Sequence, residues 1–374
     1  MNPKERVYAA IEGRRPDMWP VAASYAFLSN ADHWEELTGL PVWKYYEWLI
    51  SGDMEWYREV CRSMHAQLPF DVVQPMHKWA RGDVEVVHRD GEHFYRYKNE
   101  DRLERLPDNI HNSGSGGGPN QTRYIFTKND ARERLKTTKA EALIAGGCNI
   151  CCDETVKMFG DTHFVLGANV VNTFYSNAYH VGMTNMYEML LEEPELIHYI
   201  SSLVLEQNIE TIRAYCATCG DAIFIDDSTA TSDMISPKMY EEFSLPYLLP
   251  QVKEIQKHGK KAILMYFGGI ADRVDLIKST GADVLMMECT MKGYTNDYAE
   301  IAGKLGGAMC LAGNLNPYVD LEISTDEEIR AKIRDMNQKG AKYGRYIAST
   351  GSPITPGTTV GRIRQYIELS RVFY

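Results

Sequence analysis

The chain has 374 residues, 44% of them hydrophobic and 24% charged, with a formal net charge of -11, a composition that suits a globular protein with a large core. An acidic excess of that size argues against a broad nucleic-acid or anionic-membrane surface, and no apolar run reaches the roughly 18 residues of a membrane span. Eight cysteines without a disulfide-like spacing, and no signal-peptide pattern, lead to the expectation of a reduced, cytoplasmic enzyme that acts on small molecules.

In chain order, "WPVAASY" (19–25) and "FDVVQPM" (70–76) are the first two strand candidates, with helical sequence around them. "DVEVVHRDGEHFYRYKN" then alternates on both sides of Asp90-Gly91, the signal of a hairpin with a type I′ turn. The stretch that holds it, about 80–160, is too long for one connection and reads as an insertion between strands 2 and 3. "NSGSGGGPNQT" (112–122) follows no strand and lacks the Gly-Lys-Ser/Thr ending of a phosphate loop, which leaves a flexible loop.

After about residue 160, apolar runs alternate with amphipathic stretches: "HFVLGANVV" (163–171), "AIFIDDS" (222–228), "KAILMYF" (261–267), "DVLMMEC" (283–289), "AMCLAGN" (308–314) and "RYIASTG" (345–351). Helical sequence lies between them, and one helix opens with a capping-box pattern from Ser324 to Glu327. With the two earlier candidates the runs number eight, which closes a parallel barrel. The expectation is an α/β protein, one (β/α)8 TIM barrel over residues 1–374 with an N-terminal helical region and the β-hairpin insertion.

Chemistry in such a barrel sits at the C-terminal ends of its strands. The fourth run ends on Asp226, Asp227 and Ser228. Paired carboxylates there can share a proton and leave one as a general acid, or one of them can cap the next segment. Glu288 and Cys289 end the sixth run and, being adjacent, point to opposite sides. Asn314 and Asn316 follow the seventh, where their amides serve either a substrate or the loop itself. After the third, "NTFYSNAYH" offers Phe174, Tyr175, Tyr179 and His180, either as an apolar wall with hydroxyl donors or as packing for the next helix. Cys216 and Cys219, like Cys148, Cys151 and Cys152, lack the four-ligand grouping of structural zinc.

The opening "ERVYAAIEGRRPDMWPV", followed by "DDSTATSDMISPKMYEEFSLPYL", "KHGKKAILMYFGG", "LAGNLNP" and "GSPITPGTTVGRIRQYIE", resembles in order and spacing the uroporphyrinogen decarboxylase superfamily. The likeness covers the first 25 residues and most of 220–370. It implies a single (β/α)8 barrel and one of two activities: cofactor-free decarboxylation of uroporphyrinogen III, or methyl transfer to or from corrinoid proteins. In the zinc-dependent methyltransferases of the superfamily the fifth strand ends in His-x-Cys-Gly, and a third ligand, Cys, comes from the eighth. Met265, Phe267 and Thr350 stand at those places here, so no zinc is expected there and Met265 and Phe267 read as an apolar wall. The decarboxylases place arginines just after the first strand, whereas "AASYAFLSNADHW" has no Lys or Arg.

The resemblance is therefore strongest to the corrinoid-dependent O-demethylase methyltransferases. It implies transfer of a methyl group from a small methoxylated aromatic to the cobalt(I) of a corrinoid (cobalamin) carried by a corrinoid-binding partner protein. Asp226, Asp227, Glu288 and Tyr175 are the expected catalytic groups, and Tyr179, His180, Met265, Phe267, Asn314 and Thr350 the expected substrate contacts. Glu288, Cys289 and His180 are the candidate ligands if a metal assists. The alternatives are uroporphyrinogen decarboxylase and a non-catalytic barrel that binds a corrinoid protein or a small ligand.

Overall fold

In the computed structural model, which describes residues 1–100, 102–110, 122–218, 220–291 and 293–372, the apolar runs form short strands in one parallel sheet. The chain contributes β1 (Val72–Val73), then the insertion strands β2 (Val84–Arg89), β3 (Glu92–Tyr97) and β4 (Arg102–Arg105). After these come β5 (Phe164–Val171), β6 (Ala222–Asp226), β7 (Lys261–Tyr266), β8 (Val284–Met287), β9 (Cys310–Ala312) and β10 (Tyr346–Ile347). The order β1-β5-β6-β7-β8-β9-β10 is parallel throughout.

The run expected as the first strand, 19–25, forms only a bridge. Val21 pairs with Ala348, the Ala348 N–H donates to Pro20 O at 2.9 Å, and the Asp71 N–H donates to Val21 O at 2.9 Å. Seven strands and this bridge curl the sheet into a TIM-barrel-like ring. The physical reason lies in Asp71, whose buried carboxylate takes the Val21 N–H at 3.0 Å, so a side chain replaces part of the backbone ladder. Arg6 and Arg371 reach the same carboxylate at 3.3 and 3.0 Å.

Period-2 alternation divides the strands between two cores. Phe224, Ile263, Met265, Val284, Met286 and Ala312 face the barrel axis, which Val7, Ala10 and Ile11 of the helix Pro3–Ile11 close from below. Ile225, Leu264, Tyr266, Leu285 and Met287 face the surrounding helices. The strand ends inherit this division, and it decides which candidate side chains enter the mouth of the barrel.

The insertion holds the expected hairpin: β2 and β3 pair antiparallel through Asp90 and Gly91, with φ of 51° and 82° as a type I′ turn requires. β4 adds a third strand to β3. The capping box sits one residue later than expected, because Thr325, not Ser324, accepts from Glu328 N, while Ser324 Oγ donates to Asp320 O at 2.7 Å. Residues 112–121 of the glycine-rich stretch, and Cys219, lie outside the described residues.

Candidate active site

The pair expected at the end of the fourth run is divided by the alternation. Asp226 continues the inward row of Ala222 and Phe224, and its carboxylate is buried at the mouth. The Tyr25 hydroxyl donates to Oδ2 at 2.6 Å, the Ser228 N–H donates to Oδ1 at 2.9 Å, and the Ser228 hydroxyl donates to the same oxygen. Burial raises the Asp226 pKa above the ordinary carboxylate range in spite of these donors. The group is therefore a carboxyl that keeps its proton to higher pH than an exposed aspartate.

Asp227 points the other way, to a fully buried polar cluster behind the sheet. Asn172 Nδ2 donates to its Oδ1 and Ser244 Oγ to its Oδ2, each at 2.8 Å, and Gln251 Nε2 fixes Asn172 Oδ1 at 2.8 Å. Burial pushes the Asp227 carboxyl up to about 6. Its place corrects the expectation of two acids side by side at the mouth: one residue along a strand is a change of face.

Tyr25 is the residue that the sequence reading missed. It takes up a left-handed conformation (φ 47°, ψ 50°) before the helix Ala26–Asp32. Its ring stacks on Phe267 at 5.5 Å and meets Phe224 and Phe27 edge-on at 5.3 and 5.6 Å. Tyrosine in a loop without any other chemical signal gave no pattern to find it by. Phe267 is thus a half-buried support for Tyr25. Met265, only 1% exposed, packs within the barrel, which corrects its expected role as a pocket wall.

The two glycines after Phe267 let the next loop approach closely. A Cβ at Gly269 would collide with Ser232, whose N–H donates to Gly269 O at 2.7 Å.

Glu288 is buried and accepts hydrogen bonds from the Tyr294 hydroxyl and, at 3.1 Å, from Ser352 Oγ. Cys289, next in sequence, lines a polar cleft of about 290 Å³ with Asn296 and Lys332; burial pushes its thiol up to about 11. Asn314 spends its amide on the loop, donating to Asn296 O at 2.8 Å and Glu288 O at 3.2 Å, and Asn316 caps residues 317–322. Thr350 is buried and accepts from the Ser24 N–H at 3.1 Å. Loop hydrogen bonds thus engage the Asn314 amide nitrogen and the Thr350 hydroxyl oxygen, while Asn314 also lines the polar cleft beside Cys289.

Tyr175 and Tyr179 stand with ring centroids 5.5 Å apart on the helix Thr173–Val181. Burial, then Tyr179 and Asp226, raises the Tyr175 pKa. Tyr179 is exposed, and burial lowers the pKa of His180 in the last turn of the same helix. Glu288, Cys289 and His180 do not converge: among the described residues no group of three His, Cys, Asp or Glu side chains is placed to hold a metal ion. Met265, Phe267 and Thr350 offer a thioether, a phenyl ring and a hydroxyl already in use, a donor set unsuited to zinc.

A cavity of about 690 Å³ opens between the N-terminal helices and the insertion sheet. Phe27, Tyr45, Tyr46, Trp79 and Tyr95 give it aromatic walls, Glu104 stands among its lining, and among the described residues no Arg or Lys lines it. His77, which burial holds below its ordinary pKa, stands between this cavity and the barrel mouth, 5.9 Å from the Phe27 ring. The sequence marks the insertion and its hairpin but not this wall, because its contribution depends on the tertiary docking of β3.

Residues 112–373 match the family model described as Uroporphyrinogen decarboxylase (URO-D). The uroporphyrinogen decarboxylase of Prochlorococcus marinus (strain NATL2A) is 28% identical over 209 residues, 56% of this chain and 55% of that protein. Uroporphyrinogen decarboxylase 2, chloroplastic, of Arabidopsis thaliana is 28% identical over 189 residues, 50% of this chain and 45% of that protein. The chain thus spans about half the length of these curated relatives. A solved structure, a methyltransferase from Methanosarcina mazei, superposes with a TM-score of 0.68 at 14% identity, covering 100% of this chain and 99% of that one, a likeness of fold. By the family match the chain belongs to the uroporphyrinogen decarboxylase family, as the motifs of its N-terminal helix and strand ends imply.

Proposed function

We propose that this protein is a methyltransferase that moves a methyl group from a small methoxylated aromatic to the cobalt(I) of a corrinoid held by a partner protein. The observation that carries the reading is a buried carboxyl of raised pKa, Asp226, at the mouth of a barrel whose adjoining cavity is aromatic and, among the described residues, without Arg or Lys. An aryl ether is neutral and flat, and it suits such walls.

In the proposed step the methyl carbon passes to the cobalt of the acceptor, the C–O bond breaks, and its electron pair remains on the aryl oxygen. A phenolate is a poor leaving group until it is protonated, and the proton on Asp226 supplies that need. Tyr25 and Ser228 hold the carboxyl in one orientation and hydrogen-bond the carboxylate that remains. The protein's own part is to bind the ether, align its methyl group and deliver the proton, while the partner brings the nucleophile.

The test is incubation with cob(I)alamin or a cob(I)amide protein and a panel of methoxylated aromatics, following the absorbance of methylcobalamin. Formation of methylcobalamin and a phenol supports the reading. Conversion of uroporphyrinogen III, with every methyl donor ignored, would establish the second reading, decarboxylation, which the names of the family and of the curated relatives favour. Against it stands a cavity lining that, among the described residues, holds Glu104 and no Arg or Lys, since a substrate with eight carboxylates needs fixed guanidinium or ammonium groups.

A further inference from the structure

In the cavity of about 690 Å³ the tyrosines of the wall have spent their hydroxyl protons within the protein. The Tyr46 hydroxyl donates to Asn109 O at 2.8 Å, and the Tyr95 hydroxyl donates to Tyr46 O at 2.9 Å. What these residues leave for a ligand is ring surface and oxygen lone pairs, and both favour a positive charge. Trp79, 66% exposed, adds an indole at the same wall.

Glu104 is the one Asp, Glu, Lys or Arg side chain in the lining among the described residues. It stands directly opposite Tyr95 in the pairing of β3 with β4, so the two side chains leave the sheet on one face. That is the face Tyr95 turns to Tyr46 and the cavity. The Glu104 carboxylate accepts from the Tyr97 hydroxyl at 2.8 Å and pairs with Arg102 at 3.0 Å. Arg102 pairs with Glu100 as well, also at 3.0 Å, and its guanidinium lies over the Tyr97 ring. One guanidinium thus serves two carboxylates, and a negative charge remains beside the aromatic wall.

We propose that this cavity receives a positively charged substituent, so that the methoxylated aromatic is one that carries a protonated alkylamine on its ring. The inference deepens the aryl ether reading and rests on it. The ammonium group meets the rings of Tyr46, Trp79 and Tyr95, with Glu104 as its counter-charge. The methoxy end points past Phe27, which lines the same cavity and meets the Tyr25 ring edge-on at 5.6 Å, toward the Tyr25–Asp226 pair. No bond is made or broken in this step; Glu104 and Trp79 are specificity-determining residues.

The experiment is titration calorimetry on the protein alone, near pH 8 so that histidines are neutral. It compares para-methoxyphenethylamine, para-methoxyphenethyl alcohol and para-methoxyphenylacetate, which share the ring and the ether and are cationic, neutral and anionic. A cation–π contact and a half-exposed counter-charge each contribute about two- to fivefold in affinity. The amine should therefore bind about tenfold more tightly than the alcohol, and the acetate most weakly. Glu104→Gln and Trp79→Leu, both at exposed positions, should each cut the ratio of amine to alcohol by about two- to fivefold. Equal affinities, or tightest binding of the acetate, would overturn the inference and leave the aryl ether reading standing. A ratio that neither substitution changes would overturn it too, since a preference set by the acidity of the whole protein survives both. If none of the three binds, the aryl ether reading itself fails and the inference falls with it.

Discussion

Tyr25 and Asp226 lie 201 residues apart in sequence, and the Tyr25 hydroxyl donates to Asp226 Oδ2 at 2.6 Å in buried surroundings. The bond ties the loop after the first barrel position to the end of β6. A non-glycine residue in the left-handed region costs about 1–2 kcal/mol. Stacking on Phe267 and edge contacts with Phe224 and Phe27 hold Tyr25 there. Surroundings that over-determine a strained residue in this way are typical of sites whose geometry matters.

Tyr25→Phe tests that relationship. The hydroxyl favours the charged form of Asp226, so its loss lets burial raise the Asp226 pKa further. Turnover that needs the protonated acid then persists to higher pH, and the descending limb of the pH–rate profile moves up. An unmoved limb would separate Asp226 from the proton transfer.

Asp226→Asn should slow methyl transfer by about 10² to 10⁴, the usual contribution of a general acid. Methoxyarene affinity should stay within a few-fold, because the change is nearly isosteric. Asp227→Asn should leave turnover per folded molecule within a few-fold, since Asp227 faces Asn172 and Ser244 behind the sheet. Single-turnover kinetics of the two variants side by side separate the residues that a sequence pair presents together.

Asp227 instead governs stability. Its carboxyl titrates at about 6 in the folded protein and near 4 in the unfolded chain. Below pH 4 both states hold the proton. As pH rises from 4 to 6 the unfolded state releases it first, so this residue's contribution falls by about 3 kcal/mol over that window. Asp227→Asn cannot ionise, and the difference in unfolding free energy between wild type and variant should shift in the variant's favour from pH 4 to pH 6. Denaturant melts at several pH values check it; a constant difference would sink the assignment.

The barrel was legible because its strands are apolar runs with period-2 faces, and the hairpin because Asp90-Gly91 states its own turn. The run 19–25 misled because apolar residues around Pro20 look like a strand, while Asp71 takes over part of the ladder by side-chain bonding. At the site, residue types were readable and directions were not. Asp226 and Asp227 are neighbours in sequence that part company at the end of a pleated strand. Tyr25 and the walls given by Tyr45 and Tyr95 depend on loops and docking that no local pattern encodes.

Phe267→His gives the last test, and it concerns the strand that ends without a charged group. Phe267 stacks on Tyr25 at 5.5 Å, so an imidazole there loosens the tyrosine that orients Asp226 and brings a titratable ring toward a buried acid. Protonated histidine near Asp226 favours the carboxylate, so the descending limb of the pH–rate profile should move to lower pH, opposite in sign to Tyr25→Phe. The substitution also replaces an apolar face with a polar one, for which about a tenfold loss in kcat/KM is expected. It should not recruit zinc, because Met265 and Thr350 still supply no thiolate or imidazole. Phe267→Leu keeps the apolar face and should leave the pH profile in place, so that a shift in both variants would assign the effect to lost stacking rather than to the new charge. Metal analysis of Phe267→His that returns one zinc per chain would mean that ligands outside positions 265, 267 and 350 complete a site.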